Sequence, residues 1–116
     1  MSYEFRTVQE PTIRQIQDVV CAYYNVSRID LLCYRRHKEI VEPRHMAIAL
    51  ACSHTKRSLP VIGREFGGRD HTTALHAMRK ITFWAEKDPE MMRKVRTLGM
   101  IVDALNVEVD PIYWGA

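Results

Sequence analysis

A short polar run near the middle of the chain carries the residue types that could do specific chemistry. Arg69-Asp-His-Thr-Thr73 places a cation, a carboxylate, an imidazole and two hydroxyls in succession, directly after the pair Gly67-Gly68. Such groups exchange hydrogen bonds with the edges of nucleic-acid bases, and threonine methyl groups suit thymine methyl groups. Two more cations, Arg79 and Lys80, follow two turns later if the run continues as a helix. The run therefore has the composition of a surface that contacts a polyanion and discriminates among bases.

The flanking residues predict how this run is positioned. Glycine adopts positive φ at little cost, so one helix can end at Gly67-Gly68 and another can leave at a steep angle. Asp70 is a good N-cap for the second helix. Its apolar stripe is Leu75, Met78, Ile81 and Ala85, and it runs to about Lys87. The first helix is predicted from Leu59 to about Phe66, with Ser58 as its cap and Leu59, Ile62 and Phe66 facing inward. A helix–turn–helix with polar residues at the tip of its second helix is typical of proteins that enter the DNA major groove.

Capping signals predict four more helices. They are one from the Thr12–Gln15 capping box to about Tyr24, a short one from Ser27 to about Cys33, one from Pro43 to about His54, and one from Pro89 to about Asn106 with Asp88 as its cap. In the helix that begins at Pro43, the small apolar residues should pack in the core, and Arg44 and His45 in its first turn should be exposed. The prediction is an all-α, compact domain of five to six helices.

The two ends of the chain differ from this helical body. We predict an N-terminal arm over residues 1–11, a helical domain over 12–106 and a C-terminal tail over 107–116. The arm could be extended, since Tyr3, Phe5 and Val8 alternate. The tail carries Tyr113 and Trp114, which could bind a partner or fold back on the core. The apolar stripe of the sixth helix (Met92, Val95, Leu98/Gly99, Val102, Leu105) could likewise close the core or face a second subunit.

Charge is concentrated in the middle of the chain. The formal net charge is +3, yet residues 35–80 contain ten Lys and Arg against four Asp and Glu. This distribution suggests a polyanion-binding face on a mildly acidic body, although a solvated mixed surface is the alternative. Within it, 34–39 is a basic loop candidate, which could be a solvated linker, a phosphate contact or an arginine segment in a minor groove.

Several other classes of protein are disfavoured. Cys21, Cys33 and Cys52 form no C-x-x-C pair and are expected to be buried free thiols in a reducing cytosol. There is no signal-peptide pattern and no apolar stretch near the roughly 20 residues that span a membrane, so we expect a soluble cytoplasmic protein. No spacing of His and Cys resembles a zinc finger, and no Ser or Cys has a nucleophile context, so we predict neither a metal nor an enzyme.

The segment from Tyr34 to Ile81 resembles the C-terminal DNA-binding domain of the bacterial replication initiator DnaA. The matching blocks are Arg35-Arg36, Glu42-Pro-Arg-His-Met-Ala47, and Ser58-Leu-Pro-Val-Ile-Gly63 with Phe66-Gly-Gly-Arg-Asp-His-Thr-Thr-Ala-Leu-His76 and Arg79-Lys-Ile81. The resemblance extends from about Ile13 to Leu105. It implies a Trp-repressor-like helix–turn–helix fold, no cofactor, and binding to double-stranded DNA at the short asymmetric site called a DnaA box.

The resemblance also implies site residues. Asp70, His71, Thr72 and Thr73 match the residues that reach bases in the major groove, and Arg36 matches the arginine that reads the adjacent minor groove. His71 taken alone could be an ordinary residue of a capping turn. The predicted contacts to the DNA backbone are Arg35, Lys38, Arg44, His45, Lys56, Arg57, Ser58, Leu59, Pro60, Arg69 and Arg79.

The chain departs from the family's pattern in two ways. His45 replaces a common glutamine, Cys52 stands where some relatives have lysine, and Tyr34 replaces a basic residue, which bears on affinity and site preference. The second departure is the missing G-x-x-x-x-G-K-[ST] loop of an ATPase domain. We therefore expect a stand-alone, nucleoid-associated transcription or replication regulator without ATPase activity. The alternatives are a non-specific DNA binder and a protein adaptor that uses the sixth helix and tail, with a homodimer as one possibility.

Overall fold

The computed structural model describes residues 6–8, 10–34 and 37–109. These residues form six helices and two short strands, in the order β1 (Arg6–Val8), α1 (Ile13–Tyr24), α2 (Arg28–Leu32), α3 (Lys38–His54), α4 (Leu59–Glu65), α5 (His71–Lys87), α6 (Pro89–Ala104) and β2 (Val107–Val109). The all-α fold class is confirmed. No helix within the described ranges has both the length and the apolarity needed to cross a bilayer.

The predicted caps are present at the helix starts. Thr12 Oγ1 accepts from the Gln15 N–H at 3.0 Å, and Gln15 Oε1 accepts from the Thr12 N–H at 2.9 Å, which completes the capping box. Ser27, Ser58 and Asp88 each accept a backbone N–H of the helix that follows. These contacts join residues two or three apart in sequence, which is why the sequence could predict them.

The start of α3 differs from the prediction. The helix begins at Lys38, so Pro43 lies inside it instead of at its first position. Proline donates no hydrogen bond to the preceding turn and disfavours helical backbone at the residue before it, and such a residue usually marks a boundary. Here Pro43 lies inside α3, and its ring is fully buried. Arg44 and His45 therefore lie in the second turn of α3 and not in its first turn.

Helix α3 lies at the centre of the core and contacts all five other helices. Its buried side chains include Met46, Ile48 and Leu50, in agreement with the sequence analysis. The buried stripe of α5 that packs in the core is partly as predicted. Ile81 and Ala85 are buried, as predicted, but in the first half of the helix Ala74 and Ala77 are buried, whereas Leu75 and Met78 are half-buried. Because alanine is small, it lets two helices approach closely, and a pattern based on large apolar residues does not detect it.

Helix α6 and the two short strands complete the fold. Helix α6 buries Met91, Leu98 and Val102, so its apolar stripe faces the core, while Met100 and Ile101 are exposed. Strand β1 pairs antiparallel with β2, and Thr7 lies opposite Glu108 in the register. The extended segment of the predicted arm thus pairs with the start of the predicted tail. The tail aromatics Tyr113 and Trp114 lie outside the described residues.

Candidate nucleic-acid interface

The turn between α4 and α5 has the two-glycine geometry that the sequence predicted. Gly67 and Gly68 have φ angles of 83° and 76°. Gly63 O accepts hydrogen bonds from the N–H groups of Phe66, at 3.1 Å, and of Arg69, at 2.8 Å, which draws the chain back across the end of α4. Helices α4 and α5 therefore form the helix–turn–helix.

The N-terminus of α5 presents the predicted base-reading residues to solvent. Asp70 accepts a hydrogen bond from the Thr73 N–H at 2.9 Å and so caps the helix. This bond, with a smaller contribution from nearby His71, holds the pKa of the Asp70 carboxyl below its usual range, so the carboxylate is ionised at neutral pH. Asp70, His71, Thr72 and Thr73 are all exposed. The structure therefore brings four of the five predicted base contacts together at one helix tip, and Arg36 lies outside the described residues, as does Arg35.

The predicted backbone contacts fall into three groups. Lys56, Arg57, Ser58 and Pro60 are exposed around the start of α4, and Arg79 is exposed on α5. Leu59 is half-buried as the first residue of α4, and Lys38 is the first residue of α3. The third group, comprising Arg44, His45 and Arg69, lies in a groove between α3 and the start of α5.

This groove, which we call the basic groove, has a volume of about 490 Å³. It adjoins the tip of α5, since Asp70 and Thr73 belong to both. It is lined by Tyr34, Val41, Arg44, His45, Ile48, Arg69, Asp70, Thr73 and Lys80. With the side chains of Arg44, Arg69 and Lys80 on its walls, the groove extends the basic surface from the tip of α5 toward α2.

The two arginines of the groove, Arg44 and Arg69, donate hydrogen bonds to carbonyl groups at the C-terminal end of α2. Arg44 is 5% exposed and donates from Nε to Leu31 O at 2.9 Å and from Nη2 to Asp30 O at 3.1 Å. Arg69 donates from Nη2 to Cys33 O at 2.6 Å and from Nη1 to Leu32 O at 3.4 Å and to Phe66 O. Four successive carbonyls, 30–33, thus receive guanidinium donors. The last carbonyls of a helix lack intrahelical partners and carry partial negative charge, so cations are stabilising there.

These hydrogen bonds to the end of α2 differ from what the sequence predicted for the exposure of Arg44. The expectation that Arg44 and His45 are exposed is wrong, because Arg44 packs against the end of α2 and is buried, and His45 lies half-buried in the groove. The same hydrogen bonds assign Arg44 and Arg69 a structural role that the sequence did not predict. Contact of either arginine with a DNA phosphate remains a prediction.

His45 is held neutral by its surroundings in the groove. Burial, and then the positive charges of Lys80, Arg44 and Arg69, lower the pKa of its imidazole to about 4. In the unfolded chain the imidazole has its ordinary pKa near 6.5. Between these values the unfolded chain binds a proton that the folded protein does not bind.

We therefore expect acid to destabilise the fold through His45. The free energy of unfolding should fall as pH drops from about 6.5 to about 4, with a slope of at most about 1.4 kcal/mol per pH unit, the value for one proton. Urea denaturation at pH 7.0, 6.0 and 5.0 measures this slope. In His45→Gln the slope over the same range should be much smaller. An equal slope in both proteins would show that other groups cause the pH dependence.

Sequence reasoning missed Tyr34 as a structural part of this site. Its hydroxyl donates to Gly67 O at 2.8 Å, and its ring lies over the Arg69 guanidinium, with 5.3 Å from the Arg69 Cζ to the ring centroid. The only signal in the sequence was an aromatic residue directly before a basic pair. Among the described residues, no three His, Cys, Asp or Glu side chains come together as metal ligands would.

Comparison with known proteins identifies the family. The family model described as the bacterial DnaA protein helix-turn-helix matches residues 13–81. The chain is also 54% identical over 93 residues to the chromosomal replication initiator proteins DnaA of Rhodopseudomonas palustris (strain BisA53), Nitrobacter hamburgensis and Nitrobacter winogradskyi. These alignments cover 78% of this chain and 20% of each relative, so the chain spans about a fifth of their length. The matched segment covers more than half of the chain and contains α4, the glycine turn and α5 as far as Ile81, so the chain belongs to the bacterial DnaA helix-turn-helix family.

Proposed function

We propose that this protein binds double-stranded DNA at DnaA-box-like sites and acts in transcription or replication control without ATPase activity of its own. The observation that carries the proposal is the tip of α5, where Asp70, His71, Thr72 and Thr73 are exposed together. The glycine turn and the Asp70 cap fix this tip at the leading end of a long helix. Such a tip is what a helix–turn–helix inserts into the major groove.

The chemistry of the four side chains supports base recognition. The His71 imidazole can donate to acceptors such as guanine O6 and N7, and the Thr72 and Thr73 methyl groups can contact thymine methyls. The Asp70 carboxylate can accept from cytosine N4, although it also serves as the cap of α5. Together these groups could distinguish base pairs, which a purely electrostatic surface does not do.

Cations around this tip supply candidate phosphate contacts. Lys56 and Arg57 are exposed before α4, and Arg79 is exposed on α5. The proposed interface also includes Arg36, Arg44, Leu59 and Pro60, which match the family's residues, with Arg36 in the minor groove. The remaining backbone contacts predicted from the sequence are Arg35, Lys38, His45, Ser58 and Arg69. Charge of this kind positions a protein on DNA and makes affinity fall steeply with salt.

Fluorescence anisotropy tests the proposal directly. The chain is titrated against a labelled DnaA-box duplex and a scrambled duplex of equal length and composition, each at two salt concentrations. We expect tighter binding to the box at both salt concentrations and a steep loss of affinity as salt rises. Equal salt-sensitive affinity for the two duplexes would instead indicate non-specific binding or a different site. Selection from random DNA would distinguish those two cases.

A substitution at the tip of α5 sharpens the test. His71→Ala should lower the discrimination between box and scrambled duplex by roughly 1–3 kcal/mol, the range for one good base contact. His76→Ala is the matched control, because His76 is also exposed on α5 but lies beyond its first turn. It should leave the ratio of the two affinities unchanged. An equal loss on both duplexes for His71→Ala would contradict base reading by His71.

A second candidate function is protein interaction through α6. Met100 and Ile101 are 71% and 42% exposed and adjacent in sequence on that helix. The surface could bind a second copy of the chain or another protein, together with the aromatic tail. Absence of binding to either duplex, with a dimer in sedimentation that Met100→Lys abolishes, would favour this candidate.

A further inference from the structure

Tyr34 occupies an unusual position at the rim of the basic groove. Its side chain is 73% exposed, yet its hydroxyl donates to Gly67 O at 2.8 Å. The two residues are far apart in sequence: Tyr34 follows the end of α2, and Gly67 is the first glycine of the turn before α5. This hydrogen bond therefore connects the end of α2 to the turn before α5, two elements that are not adjacent in sequence.

The end of α2 and the turn are in direct contact at this point. A Cβ at Gly67 would lie 2.2 Å from Leu32 O, so only glycine fits between the turn and α2. Arg69 bridges the same two elements, because its guanidinium donates both to Cys33 O and to Phe66 O. The Tyr34 ring lies over that guanidinium and partly shields it from water. A cation over an aromatic face is attracted by the negative charge on the face of the ring.

We propose that Tyr34 is a positioning residue that fixes the tip of α5 against the end of α2 and thereby sets base selectivity. The inference rests on the proposed function. Asp70, the cap of α5, is three residues beyond the carbonyl that Tyr34 holds, so a shift of the turn moves the cap and the side chains after it. Hydrogen bonds to bases require distances and angles within narrow limits. Attraction between cations and phosphates tolerates a displacement more readily, because it is long-ranged.

Tyr34→Phe isolates the hydroxyl, since it keeps the ring over Arg69. In the anisotropy assay we expect this variant to lose on the order of threefold to tenfold in the ratio of box to scrambled affinity, the factor of one hydrogen bond. The affinity for the scrambled duplex and its salt dependence should stay unchanged, which a general loss of structure would not permit. Tyr34→Leu removes the ring as well and should lower the ratio further. Tyr23→Phe is the matched control, a hydroxyl deletion on α1, away from the groove.

A double-mutant cycle with His71→Ala tests the positioning role. If Tyr34 acts through the tip of α5, Tyr34→Phe should lower the ratio less in the His71→Ala protein than in the wild type. Full additivity, or an unchanged ratio in Tyr34→Phe while the wild type selects the box, would overturn this inference and leave the proposed function intact. Failure of the wild type itself to select the box would overturn the proposed function and this inference with it.

Discussion

Gly63→Ala is expected to lower the free energy of unfolding by about 3 kcal/mol, the upper part of the range for forcing extra atoms into a packed site. A Cβ at this position would lie 2.2 Å from Arg69 O and 2.9 Å from Asp70 O. Both are backbone atoms, so no side-chain rotation relieves the clash. The turn has little freedom to move, since the Arg69 N–H already donates to Gly63 O at 2.8 Å.

Gly99→Ala provides the matched control for this substitution. Gly99 is also inside a helix, and a Cβ there would meet only His54 side-chain atoms, at 3.6 and 3.8 Å, which is ordinary contact. Since alanine favours helix over glycine by up to about 1 kcal/mol, Gly99→Ala should be neutral or stabilising. Urea denaturation of the wild type and both variants measures the difference. Equal stability of all three proteins would contradict the close contact at Gly63.

Arg44→Met is expected to destabilise the fold by about 2–4 kcal/mol, because it leaves the buried Leu31 carbonyl without its guanidinium donor, at about 1–3 kcal/mol, and also removes the bond to the partly buried Asp30 carbonyl. Methionine keeps most of the apolar stem of the side chain, so the loss reports mainly on the hydrogen bonds to Asp30 O and Leu31 O. Burial lowers the pKa of the Arg44 guanidinium, but arginine remains protonated at neutral pH. Arg96→Met, at an exposed position of α6, should have little effect.

Arg44→Lys separates the structural role from a phosphate contact. Lysine keeps the positive charge but lacks the planar fork of donors that reaches two carbonyls at once. We therefore expect Arg44→Lys to lose nearly as much stability as Arg44→Met, measured by urea denaturation. If Arg44 acts only through a phosphate, Arg44→Lys should keep full stability and most of the affinity for both duplexes.

The sequence by itself determined the parts of the fold that depend on neighbours along the chain. The caps Thr12, Ser58, Asp70 and Asp88 were predictable because each bonds a backbone N–H two or three residues away. The two-glycine turn was predictable because few residues other than glycine adopt positive φ. The placement of residues 70–73 at the tip of α5, as predicted base contacts, followed from these local signals together with the family resemblance.

The tertiary structure alone decided what happens between elements distant in sequence. Arg44 and Arg69 read as surface cations, yet both bind carbonyls of α2, and the sequence does not show which carbonyls lack partners. Pro43 was predicted as a helix start, yet it lies buried inside α3. Tyr34 gave no signal that its hydroxyl would meet Gly67. Each of these outcomes depends on how the helices pack against one another. Packing brings together residues that are far apart in the sequence, and their separation follows no helical or strand periodicity that could predict the contact.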